Sequence, residues 1–376
     1  MALNNGEIDC WLDCDPGHDD SLAILLASHC KKIKLIGIST VGGNQTIEKT
    51  TRNALISMNL YGLIRTKPTN LDNDLDINFD EELKYSNCLT HGGLEFPLVQ
   101  GSSRPLLRPA VNCQEIHGDS GLNTHVKIEL PKIPDYAINY VENLNAKSAH
   151  FTRVMYDAIR VNSKPVTVIA TGPLTNIALL LINFPDISKN IEKIVMMGGA
   201  MGIGNTGPVA EFNIQVDPES AHYVFESDIP IYMVPLEVTH LALVTPQVIE
   251  SIRSLSTNLS FILVELLLYF QSTYKTLFFM DYPPLHDPCA VAYIIDPTLF
   301  EHRLMRVDVE IHSHLSYGQT VCDFYNMSNK KKNVHVCMKM DVERFWNLLI
   351  EAIKSANEVS PANLNPKSLI IQDFDI

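Results

Sequence analysis

Positive charge is scarce in this chain: 29 Lys and Arg stand against 43 Asp and Glu, a formal net charge of -14 over 376 residues. Such a surface repels polyanions, which argues against a nucleic-acid backbone or an anionic membrane as the main partner and suits a neutral small molecule or a cation. Long apolar runs are missing as well. The most apolar stretch, residues 261–270, is about half of a membrane span and contains Glu265. Residues 1–8 are polar and lack the basic-then-apolar layout of a signal peptide. The eight cysteines never form a Cys-x-x-Cys pair. That scatter points to reduced thiols and a cytoplasmic setting, the nucleus included, rather than to a disulfide frame or a zinc site. Tryptophan is confined to Trp11 and Trp346.

What is present suffices for a large core. Hydrophobic residues make up 46% of the chain and charged residues 19%, a globular balance. Short apolar runs at 9–13, 33–41, 166–170, 191–197 and 231–235 read as buried strands. The stretches 21–28, 48–61, 149–161, 175–183 and 218–226 between or after them read as helices. Strand–helix alternation of this kind predicts an α/β domain: a mostly parallel central sheet with helices on both faces, its ligand beyond the carboxyl ends of the strands. Residues 65–95 break the rhythm and read as a solvated surface insertion; the aspartates at 72, 74 and 76 lack the ligand order of an EF-hand. The tail from Glu301 alternates charged and apolar residues, ends in a helix near 341–356, and carries no recognisable chemistry.

The chemistry-bearing residues fall at the strand ends. Asp13, Asp15, Asp19 and Asp20 crowd around Pro16-Gly17 where the first strand gives way to a helix. Aspartates at a helix start can be plain dipole partners. Four of them around a Pro-Gly bend are better explained by a hard divalent cation that relieves their repulsion. A second cluster, Asn205, Glu211 and Asn213 in a Gly/Pro-rich loop, could hydrogen-bond vicinal hydroxyls or be only a polar turn before the next helix. In His286-Asp287-Pro288, Asp287 taken alone reads more readily as an N-cap with Pro288 at the first helical position, although it also sets a hard ligand beside a group titrating near neutrality. The His117-Gly118-Asp119-Ser120-Gly121 loop could shape a pocket or only turn the chain.

Together these segments resemble the inosine-uridine nucleoside hydrolase family from about residue 8 to about 295, with the fungal uridine nucleosidases as the branch most resembled. The resemblance rests on Leu12-Asp13-Cys14-Asp15-Pro16-Gly17-x-Asp19-Asp20, Val41-Gly42-Gly43-Asn44, Ile116 to Gly121, Thr171-Gly172-Pro173-Leu174-Thr175-Asn176, Met197-Gly198-Gly199, Ala210-Glu211-Phe212-Asn213 and Pro284-Leu285-His286-Asp287-Pro288. It implies a Rossmann-like single domain over residues 1–376, one Ca²⁺, and hydrolysis of ribonucleosides to ribose and free base in nucleoside salvage by a homodimer or homotetramer. It implies calcium held by the side chains of Asp15, Asp20 and Asp287 and the backbone carbonyl of Thr171. Asn44, Asn205, Glu211 and Asn213 would grip ribose, Asp19 would share its 2′-hydroxyl, Met197 would line the pocket, Asp15 would act as general base, and His286 would lie beside the leaving base. Purine-specific relatives are expected to sandwich the base between tryptophans, and neither tryptophan here falls in a suitable loop. Uridine is therefore expected ahead of inosine, with cytidine also a substrate and Tyr274 and Tyr282 on a mobile flap near the base. Two other readings compete: a Mg²⁺-dependent phosphatase of the haloacid-dehalogenase type, whose Asp-x-Asp also follows the first strand, and a nucleoside-binding protein without turnover.

Overall fold

The apolar runs become strands, and four more strands join them. The computed structural model describes residues 6–64, 93–147 and 150–364. In it β1 (Ile8–Cys14), β2 (Ile33–Thr40), β3 (Leu98–Gln100), β4 (Val166–Ala170), β5 (Ile191–Met197), β6 (Ile231–Val234), β7 (Phe300–Val309), β8 (Thr320–Asp323) and β9 (Val334–Met340) form one sheet. Its order is β3-β2-β1-β4-β5-β6-β9-β7-β8. Pairing is parallel from β3 through β6 to β9 and antiparallel where β7 meets β9 and β8. β4 is buried at every position and β1 at all but Ile8, as strands covered on both faces must be.

The expected helices form at His18–His29, Ile47–Leu60, Phe151–Val161, Thr175–Asn183 and Pro218–Phe225. From β1 the chain winds one way through β2 to β3, then returns to lay β4, β5 and β6 on the other side. The reversal opens a crevice at the carboxyl ends of β1 and β4, the place where such sheets bind ligands.

Two expectations need amendment. The tail is not a bare alternation ending in a helix: β7, β8 and β9 complete the sheet, and their pairing across the 320–340 region leaves no local signature. Residues 261–270 lie inside a 20-residue helix, Asn258–Leu277, and among the described residues no helix is long and apolar enough to cross a membrane. Tyr274 belongs to the last turn of that helix and is buried, not carried on a flap. The segment read as an insertion lies outside the described residues except for 93–95. At its borders Ile64 bridges Leu94 and the Glu95 amide donates to the Leu63 carbonyl at 3.0 Å.

Candidate active site

Carboxylates from two stretches far apart in the chain meet at the crevice. Oxygens of Asp19, Asp20 and Asp287 lie within 4.8 Å of one another, and all three residues are buried. Asp19 and Asp20 sit in the first turn of the helix His18–His29, and Asp287 precedes the helix Pro288–Ile295. Asp287 makes no side-chain cap to that helix, so the capping reading fails; its carboxylate turns toward the other aspartates. Asp20 is held by four donors. Its Oδ1 accepts from the Thr171 hydroxyl at 2.8 Å and the Asp15 amide at 3.3 Å, and its Oδ2 from the Gly17 amide and Asn44 Nδ2, both at 3.1 Å.

Asp15 lies beside this trio without belonging to it. Its Oδ2 accepts the Asn44 amide at 2.7 Å, while its Oδ1, like Asp19 Oδ1, is buried with no hydrogen-bond partner. Two glycines make room for it. A Cβ on Gly43 would fall 2.2 Å from Asp15 Oδ2, and one on Gly172 would fall 2.7 Å from Asp15 Oδ1. Gly43→Ala should therefore push the carboxylate aside. Since a displacement of about 1 Å at a reacting group can cost ~10²-fold, we expect a loss of that order in turnover with a nearly unchanged melting temperature; wild-type turnover would show that the position of Asp15 is immaterial.

Asp13, counted with the cluster in the sequence, does not reach it. Still within β1, its Oδ1 accepts from Ser39 Oγ of β2 and from Asn176 Nδ2 at 2.7 Å. Asp13 therefore ties β1 to its neighbours beneath the site. Burial governs the protonation of all these groups. It pushes Asp13 and Asp19 up to about 7, and holds Asp15 and Asp287 well above the usual carboxylate range, with the charges of Asp20 and Asp19 respectively adding to the effect. A cage of hard oxygens, some without partners, whose members resist ionising together, has the chemistry of an oxygen-ligated cation site.

Opposite the carboxylates, the loop after β5 supplies amides and a glutamate. Glu211 accepts from the Gly199 and Asn213 amides at 2.9 Å each, and burial raises it to about 7. Asn213 Nδ2 donates to the Thr171 carbonyl at 2.8 Å and to the Met197 carbonyl at 3.3 Å, which binds this loop to β4 and β5. Asn205 Oδ1 accepts the Phe212 amide at 2.9 Å. One pocket is lined by Asp19, Asn44, Thr171, Met197, Asn205, Glu211, Asn213, His286 and Asp287, with Asp15 and Asp20 fully buried nearby.

His286 has both ring nitrogens engaged, with Thr239 Oγ1 and Tyr274 Oη each 2.8 Å away. In a neutral ring one nitrogen donates and the other accepts, and the contacts to Thr239 and Tyr274 satisfy both. Burial, with His240 nearby, lowers the basicity of His286 and keeps the ring neutral. His117 also lines the pocket, with its Nδ1 3.1 Å from His18 Nδ1. The sequence did not single out Cys113, Phe270 or Phe278, which complete the wall. Cys113 Sγ donates to Asn44 Oδ1 at 3.2 Å and so turns the Asn44 amide toward Asp20. Such residues look like ordinary core in a sequence; only His117, in its Gly-containing loop, left a signal.

A model of the family described as inosine-uridine preferring nucleoside hydrolase matches residues 10–70 and 82–347, and the gap between them falls inside the 65–95 segment. A probable ribonucleoside hydrolase of Dictyostelium discoideum is 41% identical over 369 residues, covering 96% of this chain and 99% of that protein. The inosine-uridine preferring nucleoside hydrolase of Crithidia fasciculata is 34% identical, covering 91% and 96%. A pyrimidine-specific ribonucleoside hydrolase of a Shewanella species is 37% identical, covering 91% and 95%. Among solved structures, the purine-preferring ribonucleoside hydrolase from Gardnerella vaginalis matches with a TM-score of 0.76 at 28% identity, covering 94% of this chain and all of that one.

Proposed function

This chain belongs to the inosine-uridine preferring nucleoside hydrolase family and is a nucleoside N-ribohydrolase; on that premise we propose that it is calcium-dependent and releases the base of uridine in preference to that of inosine, with cytidine also a substrate. The observation that carries the reading is the buried Asp19–Asp20–Asp287 trio beneath a pocket lined by Asn44, Asn205, Glu211 and Asn213. Neither a phosphatase nor a binding protein without turnover draws support from the relatives.

An all-oxygen donor set favours a hard cation over zinc, and the partnerless oxygens on Asp15 and Asp19 leave acceptors to spare. Asp15, Asp20 and Asp287 would hold Ca²⁺ through side chains and Thr171 through its carbonyl. When bound, calcium would anchor the 2′- and 3′-hydroxyls of ribose and a water beneath the anomeric carbon.

The remaining work belongs to the chain. Breaking an N-ribosidic bond builds positive charge on the ribose ring and negative charge on the departing base, as in related glycoside cleavage. Asp15 is the general base that takes a proton from the attacking water. Glu211 has further lone pairs beyond those given to its backbone amides; with Asn44, Asn205 and Asn213 it binds ribose hydroxyls, and its charge offsets that of the sugar cation. Asp19 shares the 2′-hydroxyl and Met197 packs against the sugar. On the base side, His286 lies beside the leaving base and forms one hydrogen-bonded unit with Tyr274.

The base preference rests on the walls of the pocket. Trp11 is buried in β1 with its indole N–H on Ser39, and Trp346 lies on the helix Val342–Val359; neither can sandwich a purine. Phe270, Tyr274 and Phe278 stand there instead. The test is ribose release from a nucleoside panel with and without chelator. We expect kcat/KM for uridine to exceed that for inosine, and inosine ahead by tenfold would overturn the preference. The seven described cysteines are all free, which fits a reducing compartment; cytoplasmic or nuclear residence as a homodimer or homotetramer completes the proposal.

A further inference from the structure

Far from the acid trio, at the amino end of the parallel strands, two histidines face each other. His302 on β7 and His335 on β9 bring their Nδ1 atoms to 3.3 Å at the protein surface. Register explains the meeting. β7 pairs His302 with Cys337, two residues beyond His335, so the histidines are diagonal neighbours on one face of the sheet. The rings stand nearly perpendicular, at 78° with centroids 5.0 Å apart.

Both rings are buttressed. Tyr232 of β6 lies flat on His335, with centroids 4.4 Å apart at 14°, and stands edge-on to His302 at 5.5 Å. Tyr293, from the helix Pro288–Ile295, meets His302 at 5.9 Å and 67°. Tyr232 and Tyr293 also pack on each other, with ring centroids 4.9 Å apart at 34°. Aromatic packing thus limits the freedom of two imidazoles, of which His302 is exposed and His335 half-buried. Burial and the neighbouring His302 lower the basicity of His335, which favours the neutral form that ligates metals.

We propose that His302 and His335 form a chelating site for a borderline divalent transition-metal ion, Cu²⁺ or Zn²⁺, with water in the remaining positions. Two nitrogens bound to one Zn²⁺ at about 2.0–2.1 Å in tetrahedral geometry lie about 3.3 Å apart, which is the separation the two strands already provide. Imidazole nitrogens suit zinc, copper and nickel and are poor partners for calcium. The site therefore differs in chemistry from the oxygen cage, and nothing in it depends on the nucleoside reading. Two protein ligands predict reversible binding, and an ion there would tie β7 to β9.

The experiment is calorimetric titration of the calcium-loaded full chain with Cu²⁺ and with Zn²⁺. We expect one equivalent of each, copper bound more tightly in keeping with the general order of divalent affinities, and at least tenfold weaker binding in both His302→Gln and His335→Gln. Ribose release should be unchanged in His302→Gln, whose exposed side chain lies outside the pocket. Electron paramagnetic resonance of the copper-loaded protein should show two coordinated nitrogens. Unaltered affinity in His302→Gln, in a variant shown to be folded, would overturn the proposal. So would the absence of stoichiometric binding by either ion, which would leave only a hydrogen-bonded pair of neutral rings.

Discussion

Asp15→Asn should yield a folded protein whose kcat for ribose release from uridine is lower by at least ~10²-fold, the usual loss when a general base is removed. Asparagine keeps the size of the side chain and an oxygen to accept the Asn44 amide, now given to Asp15 Oδ2 at 2.7 Å. The change removes one negative charge and the basic lone pair at Oδ1. Because Asp15 is fully buried near Asp20, losing that charge relieves repulsion, so the melting temperature of the cation-free variant should not fall. Ca²⁺ acidifies water far less than Zn²⁺ does, which makes a neighbouring base necessary. Steady-state kinetics together with thermal melts check the expectation. Near-normal turnover in the variant would remove Asp15 from its role.

Removing calcium with a strong chelator should abolish turnover and lower the melting temperature, with both restored when calcium is returned in excess. A ligand bound only by the folded state stabilises it by about 2.7 kcal/mol at a hundredfold excess over Kd, which corresponds to several degrees in a chain of this size. The stripped protein should also respond to pH with a definite sign. Burial raises the folded-state values of Asp15, Asp19, Asp20 and Asp287 above their ordinary 3.8. Between the unfolded and folded values the native state holds more protons, so stability falls as pH rises. The cation-free protein should therefore melt higher at pH 5 than at pH 8, and the loaded protein should lose that slope. Full turnover after stripping would sink the calcium mechanism. A cation-free melting temperature that rises toward pH 8 would instead mean that the acid cage is not closed as described.

The sequence showed much of this site because its residues sit where strand meets helix. Asp15, Asn44 and Thr171 each follow a strand read correctly from its apolar run, and parallel topology carries such positions to one crevice. The same logic misled at Asp13, which is still inside β1 and bonds sideways to β2. Asp287 was ambiguous for a different reason: a carboxylate before a proline is most often a cap, and only the spatial approach of Asp19 and Asp20 distinguishes a ligand from a cap. Tyr274, expected on a flap, is instead carried by a helix that runs on to Leu277. Cys113, Phe270 and Phe278 carried no signal, since an apolar pocket wall and an apolar core are written in the same residues. The β7–β9 addition was hidden because its partners are distant in the chain.

The acid cage is built at the starts of helices. His18–His29 begins at Asp19 and Asp20, Pro288–Ile295 begins just after Asp287, Thr175–Asn183 follows Thr171, and Phe212–Val216 begins at Glu211. The start of an α-helix carries the equivalent of roughly half a positive charge. At two of these starts backbone amides donate to the carboxylates themselves, Gly17 to Asp20 and Asn213 and Ile214 to Glu211, which holds those side chains in place without an ion. Entry of the cation should then be limited by the shedding of its own hydration shell.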